Sequence, residues 1–506
     1  MQRLATAAWV VALAALLAAQ DNSAARAARA WRQQHEGAIV SEFVDLLKVP
    51  NVGKDRENLK RNADHIQKMM EARGVQSRQV SSPDANPVVL GEIRTPGASR
   101  TIVFYAHYDG QPIDPQEWAT PPFEPTLRDK PLEAGGRVLP LPSNGAHVDP
   151  EARLYGRSTG DDKAPIVALM TALDALKAAG LSLNSNIKFA FEGEEEFGSP
   201  NLTRMLADNR AAFAGDVWIM CDGPVHQTSR QLVAFGARDV VTFDLTVYGP
   251  RAELHSGHYG NWAPNPAMEL ATLLASMKDS RGRVVVDKFY AGITPLSATE
   301  QRALADAPDI DAELMREFEL GSTEASPKKL VELITQPSFN IRGLSSGHVG
   351  SFATNVVPSS ATAAIDIRLV KGMDPERTLQ LVVDHIRKQG YFVVSDGPPS
   401  AEVRQAHARV AYLEKGHMGL GAVRTPMDWP LAQEIIRAVE SVRGPSIKIP
   451  NMGGSLPLAE VERPLGTRTV VVPIANHDNH QHSFNENLRI QNLWDGIELF
   501  AALLTM

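Results

Sequence analysis

The chain has 506 residues, 43% of them hydrophobic and 22% charged, with a formal net charge of −8. That length buries at least two independent cores, and the dispersed charges exclude a basic stripe for nucleic acid or a like-charged tail. Cys221 is the only cysteine, which excludes an intrachain disulfide and a thiolate cage, so any metal is held by His, Asp and Glu.

Taken in chain order, Leu4 to Ala19 is a short apolar run behind Met-Gln-Arg, followed by small and then polar residues. This is a secretory signal pattern. The run falls short of the roughly 20 residues that span a bilayer core. The expectation is therefore an exported protein, periplasmic or secreted, with a signal over residues 1–23 and cleavage between Ala19 and Ala25. A retained N-terminal anchor is the alternative.

Ala24 to Lys48 and Leu59 to Gly74 carry apolar residues at helical spacing. Thr101–Tyr105, Ile187–Phe191 and Val217–Met220 are short, apolar and β-rich, with a helical stretch at Pro165 to Ala179 between the first two. Strands alternating with helices predict a layered α/β sheet. Gln111 to Ala152, rich in Pro and Gly, reads as a long surface loop.

From about Val240 the pattern changes. Val241–Val247 and Ala363–Leu369 alternate apolar and polar residues, as in a sheet with one wet face, and helical segments at Pro266–Met277 and Pro375–Lys388 accompany them. The first pattern resumes at Pro430–Val442 and Thr469–Pro473. The fold class expected is α/β with two domains: a discontinuous catalytic domain, residues 24–237 and 413–506, and an inserted α+β lid or dimerisation domain, residues 238–412.

Polar residues placed just beyond apolar strands are the strongest functional signal, because ligand sites of open α/β sheets lie beyond the carboxyl ends of their strands. His107 and Asp109 follow the first strand, and an imidazole can ligate a metal while a carboxylate accepts its other N–H. Asp161 and Asp162 open a helix; as an N-cap they need no metal, but one carboxylate can also bridge two cations. Glu194, Glu195 and Glu196 follow the next strand, where three successive carboxylates repel unless screened. Asp222 closes another strand, and His477, His480 and His482 cluster near the C-terminus, which suggests metal without saying which ring binds.

Six segments in order, Tyr-Ala-His107-Tyr-Asp109-Gly-Gln-Pro, Glu-Trp118 to Pro125, Tyr-Gly-Arg157 to Lys163, Glu192 to Ser199, Leu254-His255-Ser-Gly257 and His482-Ser-Phe-Asn-Glu486, resemble the metallopeptidases that include carnosine dipeptidases, aminoacylases and succinyl-diaminopimelate desuccinylases. The resemblance runs through nearly the whole mature chain. It implies two divalent metal ions, zinc first and manganese or cobalt as alternatives. His107, Asp161 and Asp222 would hold one and Asp161, Glu196 and His482 the other, with Asp161 as the bridge. It makes Glu195 the general base and Asp109 the residue that orients His107. His477 and His480 default to surface or supporting places.

The resemblance further implies a homodimer joined through the inserted domain, with His255 reaching into the neighbouring subunit's site to help stabilise the oxyanion. Asn355, Arg368 and Ser455 match positions that recognise a substrate carboxylate, and a guanidinium can grip a carboxylate with two parallel hydrogen bonds. Arg368 could also serve as a cross-strand surface partner. Ser158 and Ala164 stand where glycines are common, and Glu253 where aspartate is usual. Arg281 to Gly350 matches poorly. The expected activity is hydrolysis of dipeptides or short peptides with a free C-terminal carboxylate. An N-acyl amino acid deacylase is the alternative, and a metal-free binding protein on the same scaffold is a third reading.

Overall fold

The computed structural model describes residues 22–506, so the expected signal segment lies outside the described residues except for its last two. Those two belong to the folded chain: Asn22 caps the helix Ser23–Leu47 by accepting from Ala25 N–H, and its amide donates to Ser441 at 2.8 Å.

The larger sheet has eight strands, in the order Gln76–Val80, Val88–Ile93, Asn186–Glu192, Thr101–His107, Val217–Met220, Thr469–Val471, Leu232–Ala234 and Ile447–Ile449. Thr101–His107 lies at its centre, parallel to Asn186–Glu192 on one side and Val217–Met220 on the other. These three strands are buried almost throughout, which explains their continuous apolar runs: both sheet faces are covered. Helices Ser23–Leu47, Lys163–Ala178 and Ile490–Leu504 cover one face in a single core. Helices Leu202–Asp208 and Leu458–Leu465 pack together over the other.

The second sheet has five strands, in the order Ser338–Ser345, Ser360–Leu369, Asp239–Tyr248, Val410–Met418 and Phe392–Val394. Val241, Phe243, Leu245 and Val247 alternate inward and meet helices Pro266–Ala275 and Pro375–Lys388 in a separate core. The latter helix begins by local rules: Asp374 accepts from Arg377 N–H, Pro375 takes the first turn, and His385, Arg387 and Lys388 fill the last. Such a cap contributes about 1 kcal/mol.

Three sequence expectations change. The boundary at 412 falls inside the strand Val410–Met418, which pairs with Asp239–Tyr248, so the second sheet continues to Met418. The span 238–412 is also not one body: helix Ala298–Asp306 lies against the catalytic edge strand Ile447–Ile449, and Glu300 on it pairs with Arg424 at 2.7 Å, both buried. The stretch Gln111–Ala152 is not all loop, because Thr126–Arg128 and Val138–Leu139 join Arg153–Tyr155 and Asn487–Arg489 in a four-stranded sheet. Strands of two or three residues carry too little alternation to show a period, and one partner lies more than three hundred positions away.

Candidate metal-dependent active site

Each acidic or imidazole group expected at a strand end is there. His107 is the last residue of the central strand, and Asp222 stands two residues past Met220 at the end of the strand beside it. Glu195 and Glu196 form a short 3-10 turn after Asn186–Glu192. Two glycines shape that turn. A Cβ on Gly193 would stand 2.4 Å from the Tyr108 hydroxyl, and Gly198 adopts φ +90°, a conformation side chains rarely accept.

Asp161 sits between two imidazoles. One of its oxygens lies 2.8 Å from His107 Nε2 and the other 3.2 Å from His482 Nε2. Glu196 is also 3.2 Å from His482 Nε2, while Asp222 and Glu195 stand 3.7 and 3.9 Å from His107 Nε2. Two groups of ligand atoms are close enough to hold an ion: Asp161, Glu196 and His482, and His107, Asp162 and Asp222. The second includes Asp162 where Asp161 was expected. Asp161 is nonetheless nearest to His107, whereas Asp162 turns one oxygen to the His107 backbone N–H at 3.3 Å and leaves the other without a partner.

Asp109 contacts the glutamate turn as well as His107. Its carboxylate lies 3.4 Å from His107 Nδ1 and accepts from the backbone N–H groups of Glu195 and Glu196 at 3.1 and 3.0 Å. The buried Asp109 side chain thus holds the glutamate turn, while His107 Nδ1 hydrogen-bonds to the Asp109 main-chain carbonyl at 3.2 Å.

The charge in this space is one-sided. Among the described residues, the cationic groups within 4 Å of Asp161, Asp222, Glu195 and Glu196 are His107 and His482 alone. Burial, and then the neighbouring Asp161, push Asp222 up to about 7. Burial likewise holds Glu195 well above the usual carboxylate range, with Asp222 and Glu196 adding to it. Hydrogen bonds to Asp161 and Glu196 push His482 up to about 11. Burial opposes protonation of His107, but Asp109 and Asp161 outweigh it and hold its pKa well above the ordinary value. Converging buried carboxylates with two imidazoles and no thiol are a donor set for hard or borderline divalent cations.

Asp161, Glu195, Glu196, Asp222 and His482 line a cavity of about 790 Å³, and so do Arg368 and Ser455, a volume suited to a small ligand. Arg368 Nη1 donates to Ser455 Oγ at 2.9 Å. His255 and Asn355 are not in that cavity. Both are exposed and lie at a separate two-stranded ribbon, where Ser256 N–H donates to Asn355 O at 2.8 Å and Leu254–His255 pairs with Val356–Val357. His477 and His480 are exposed.

Among the cavity-lining residues given no role from sequence are Gln111, Gln481 and His417. Gln111 donates to Glu196 Oε2 at 2.8 Å, Gln481 to Asp161 Oδ2 at 3.3 Å, and His417 stands on the strand Val410–Met418. Gln111 and Gln481 adjoin the ligands in sequence, which is a usable signal; His417 has none.

The chain matches the model of peptidase family M20/M25/M40 over residues 103–506, and it belongs to that family. It is 26% identical over 441 residues to the Cys-Gly metallodipeptidase dug1 of Schizosaccharomyces pombe, covering 85% of each chain. With the β-Ala-His dipeptidase of Homo sapiens it shares 26% identity, covering 82% of this chain and 76% of that one. Among solved structures, the M20 family metallo-carboxypeptidase Sso-CP2 from Sulfolobus solfataricus superposes with a TM-score of 0.74 at 25% identity, covering 92% of this chain and 98% of that one. Human carnosine dipeptidase 1 superposes with a TM-score of 0.71 at 22% identity, covering 95% and 99%; the two share the fold.

Proposed function

We propose that this protein is a two-metal hydrolase that cleaves the amide bond of dipeptides or short peptides bearing a free C-terminal carboxylate. The observation that carries this is one cavity lined both by the Asp161 carboxylate, which lies between two imidazoles, and by the Arg368–Ser455 pair. The names of the two relatives, both dipeptidases, support the same substrate class.

His107, Asp161 and Asp222 would hold one ion and Asp161, Glu196 and His482 the other. When bound, two divalent ions supply Lewis acidity toward a carbonyl and acidify water. The oxygen and nitrogen donors suit zinc, with manganese or cobalt as alternatives. Glu195 takes the proton of the attacking water and returns it to the leaving amine, a task for which a carboxylate held above its ordinary range is matched. Asp109 keeps Glu195 and His107 in register through the turn it binds. Arg368 and Ser455 hold the substrate's carboxylate, and that fixed end places the scissile amide over Asp161.

The same reading includes a homodimer. His255 and Asn355 face solvent away from their own chain's cavity. Around them the inserted unit exposes Trp262 at 79%, Val349 at 86%, Phe352 at 78% and Leu344 at 62%, an apolar surface of the kind that marks an interface. Ser338–Ser345 is an edge strand of its sheet, open to pairing. A second copy seated there would take His255 toward a neighbouring site. Export rests on the N-terminal apolar run; among the described residues no helix is long and apolar enough to cross a membrane.

The deciding test is a panel on metal-loaded enzyme that sets dipeptides against N-acetyl amino acids and against dipeptides with an amidated C-terminus. Turnover of free dipeptides, lost on amidation, is expected. Turnover confined to the acyl series would replace the peptidase reading with a deacylase.

A further inference from the structure

Behind the ligand side chains lies a buried ion pair that the hydrolytic scheme does not use. Arg157 and Glu486 meet at 2.9 Å with side chains 2% and 1% exposed. Each is joined to a different ligand-bearing loop. Glu486 Oε2 also accepts from Ser158 N–H at 2.8 Å, and its Oε1 accepts from the N–H groups of Gly160 and Asp161 at 2.9 and 3.0 Å. Arg157 Nη2 donates to the carbonyl of Ser483 at 3.0 Å, the residue after His482, and its guanidinium lies over Trp118, 5.0 Å from the ring centre.

Both loops are backbones that would not hold this form alone. Ser158 has φ +64°, and His480, His482 and Asn485 have φ +57°, +62° and +58°. Side-chain-bearing residues persist in that region where their surroundings over-determine them. Four donors converge on Glu486, which is as many as the two oxygens of an ionised carboxylate accept.

We propose that Arg157 and Glu486 are positioning residues that set the distance between the two metal subsites: Glu486 fixes the backbone of Asp161, and Arg157 fixes the backbone beside His482. This rests on the two-metal reading given above. The pair touches neither substrate nor metal; it acts through the two loops.

The test measures metal binding rather than turnover. Metal-stripped wild type, Glu486→Gln and Arg157→Lys are titrated with zinc against a competing chelator, and their cobalt forms are compared by visible absorption. Gln in place of Glu486 turns an amide N–H toward backbone N–H donors, so the Asp161 loop loses acceptors. Lys in place of Arg157 keeps a charge for Glu486 but has no second branch for Ser483. The expected result is two ions bound by wild type, a loss of affinity of about 10- to 100-fold in each variant, the usual cost of removing a group that supports ligands, and an altered cobalt spectrum. Two ions bound by both variants with wild-type affinity and spectrum would overturn the clamp while leaving the two-metal reading intact. No metal bound by wild type would overturn that reading and the clamp with it. Loss of the metal-free fold in both variants would also overturn the proposal, since the pair would then hold the domain rather than the site.

Discussion

Arg368, on a strand of the inserted sheet, donates to Ser455, in a loop of the catalytic domain, at 2.9 Å. The two residues stand 87 positions apart, and both line the cavity that Asp161 also lines. A carboxylate entering beside the pair would meet a guanidinium and a hydroxyl together. Replacing Arg368 by Ala should raise KM with kcat changed less, because the lost contact holds the ground state and the transition state alike. Hydrogen bonds to charged groups contribute about 1.5–3 kcal/mol, so kcat/KM for a free dipeptide should fall about 10- to 100-fold. Steady-state kinetics on free and amidated dipeptides checks this, and an equal loss on both substrates would argue against the role.

Glu195→Gln removes the proton acceptor but leaves the backbone N–H that Asp109 holds. Turnover should drop by about 10²- to 10⁴-fold, the range for loss of a general base, with metal content unchanged. Metal analysis beside single-turnover kinetics separates the two effects. A variant with near-normal kcat would remove Glu195 from the mechanism.

Metal uptake should release protons. In the metal-free chain His482 is pushed up to about 11, so at neutral pH it carries a proton that must leave before the imidazole can bind a cation. Zinc titrations by calorimetry in buffers of different ionisation enthalpy should show net proton release, and affinity should weaken as pH falls. A binding enthalpy independent of the buffer would contradict this.

The metal-free protein should lose stability as pH rises. Asp222 is raised from 3.8 to about 7, so its contribution is fully present below 3.8 and is lost as pH climbs through about 7, where the buried carboxylate must ionise. Bound cations oppose that loss. The gain in Tm on adding zinc should therefore grow across the same interval, and a gain that shrinks with rising pH would refute the assignment.

The dimer and the exchanged histidine can be tested together. Trp262→Glu with Phe352→Glu should give a monomer by sedimentation, since two charges would enter an apolar contact. His255→Ala and Glu195→Gln homodimers should each be impaired, whereas mixed dimers carry one site with both groups intact and should regain activity. No recovery on mixing would place His255 outside the neighbouring site.

Much of the eight-stranded sheet was legible in the sequence. The runs around Phe104, Phe189 and Ile219 are buried on both faces and read as strands because nothing polar interrupts them, and the residues just past their ends are the candidate ligands. The motif order also singled out Glu195 and His482 among neighbours of the same type. Less legible were the features built by contact between distant segments. The short sheet through Thr126–Arg128 has too few residues to show a period, and the return of Ala298–Asp306 to the catalytic domain leaves no mark on its own sequence.

The sequence by itself determined the chemistry at hand: which imidazoles and carboxylates stand at strand ends, and that no cage of thiolates can form. That information is local, because a residue's place after an apolar run follows from the unbroken apolar character of the run, whose strand is buried on both faces. Only the tertiary structure decided that Asp109 binds the glutamate turn as well as His107, that Asp161 stands between two imidazoles, that Arg368 meets Ser455, and that His255 and Asn355 lie outside their own chain's cavity. Each of those depends on how separate loops are held against one another, and a hydrogen bond between residues tens to hundreds of positions apart is set by packing, not by neighbours in the chain.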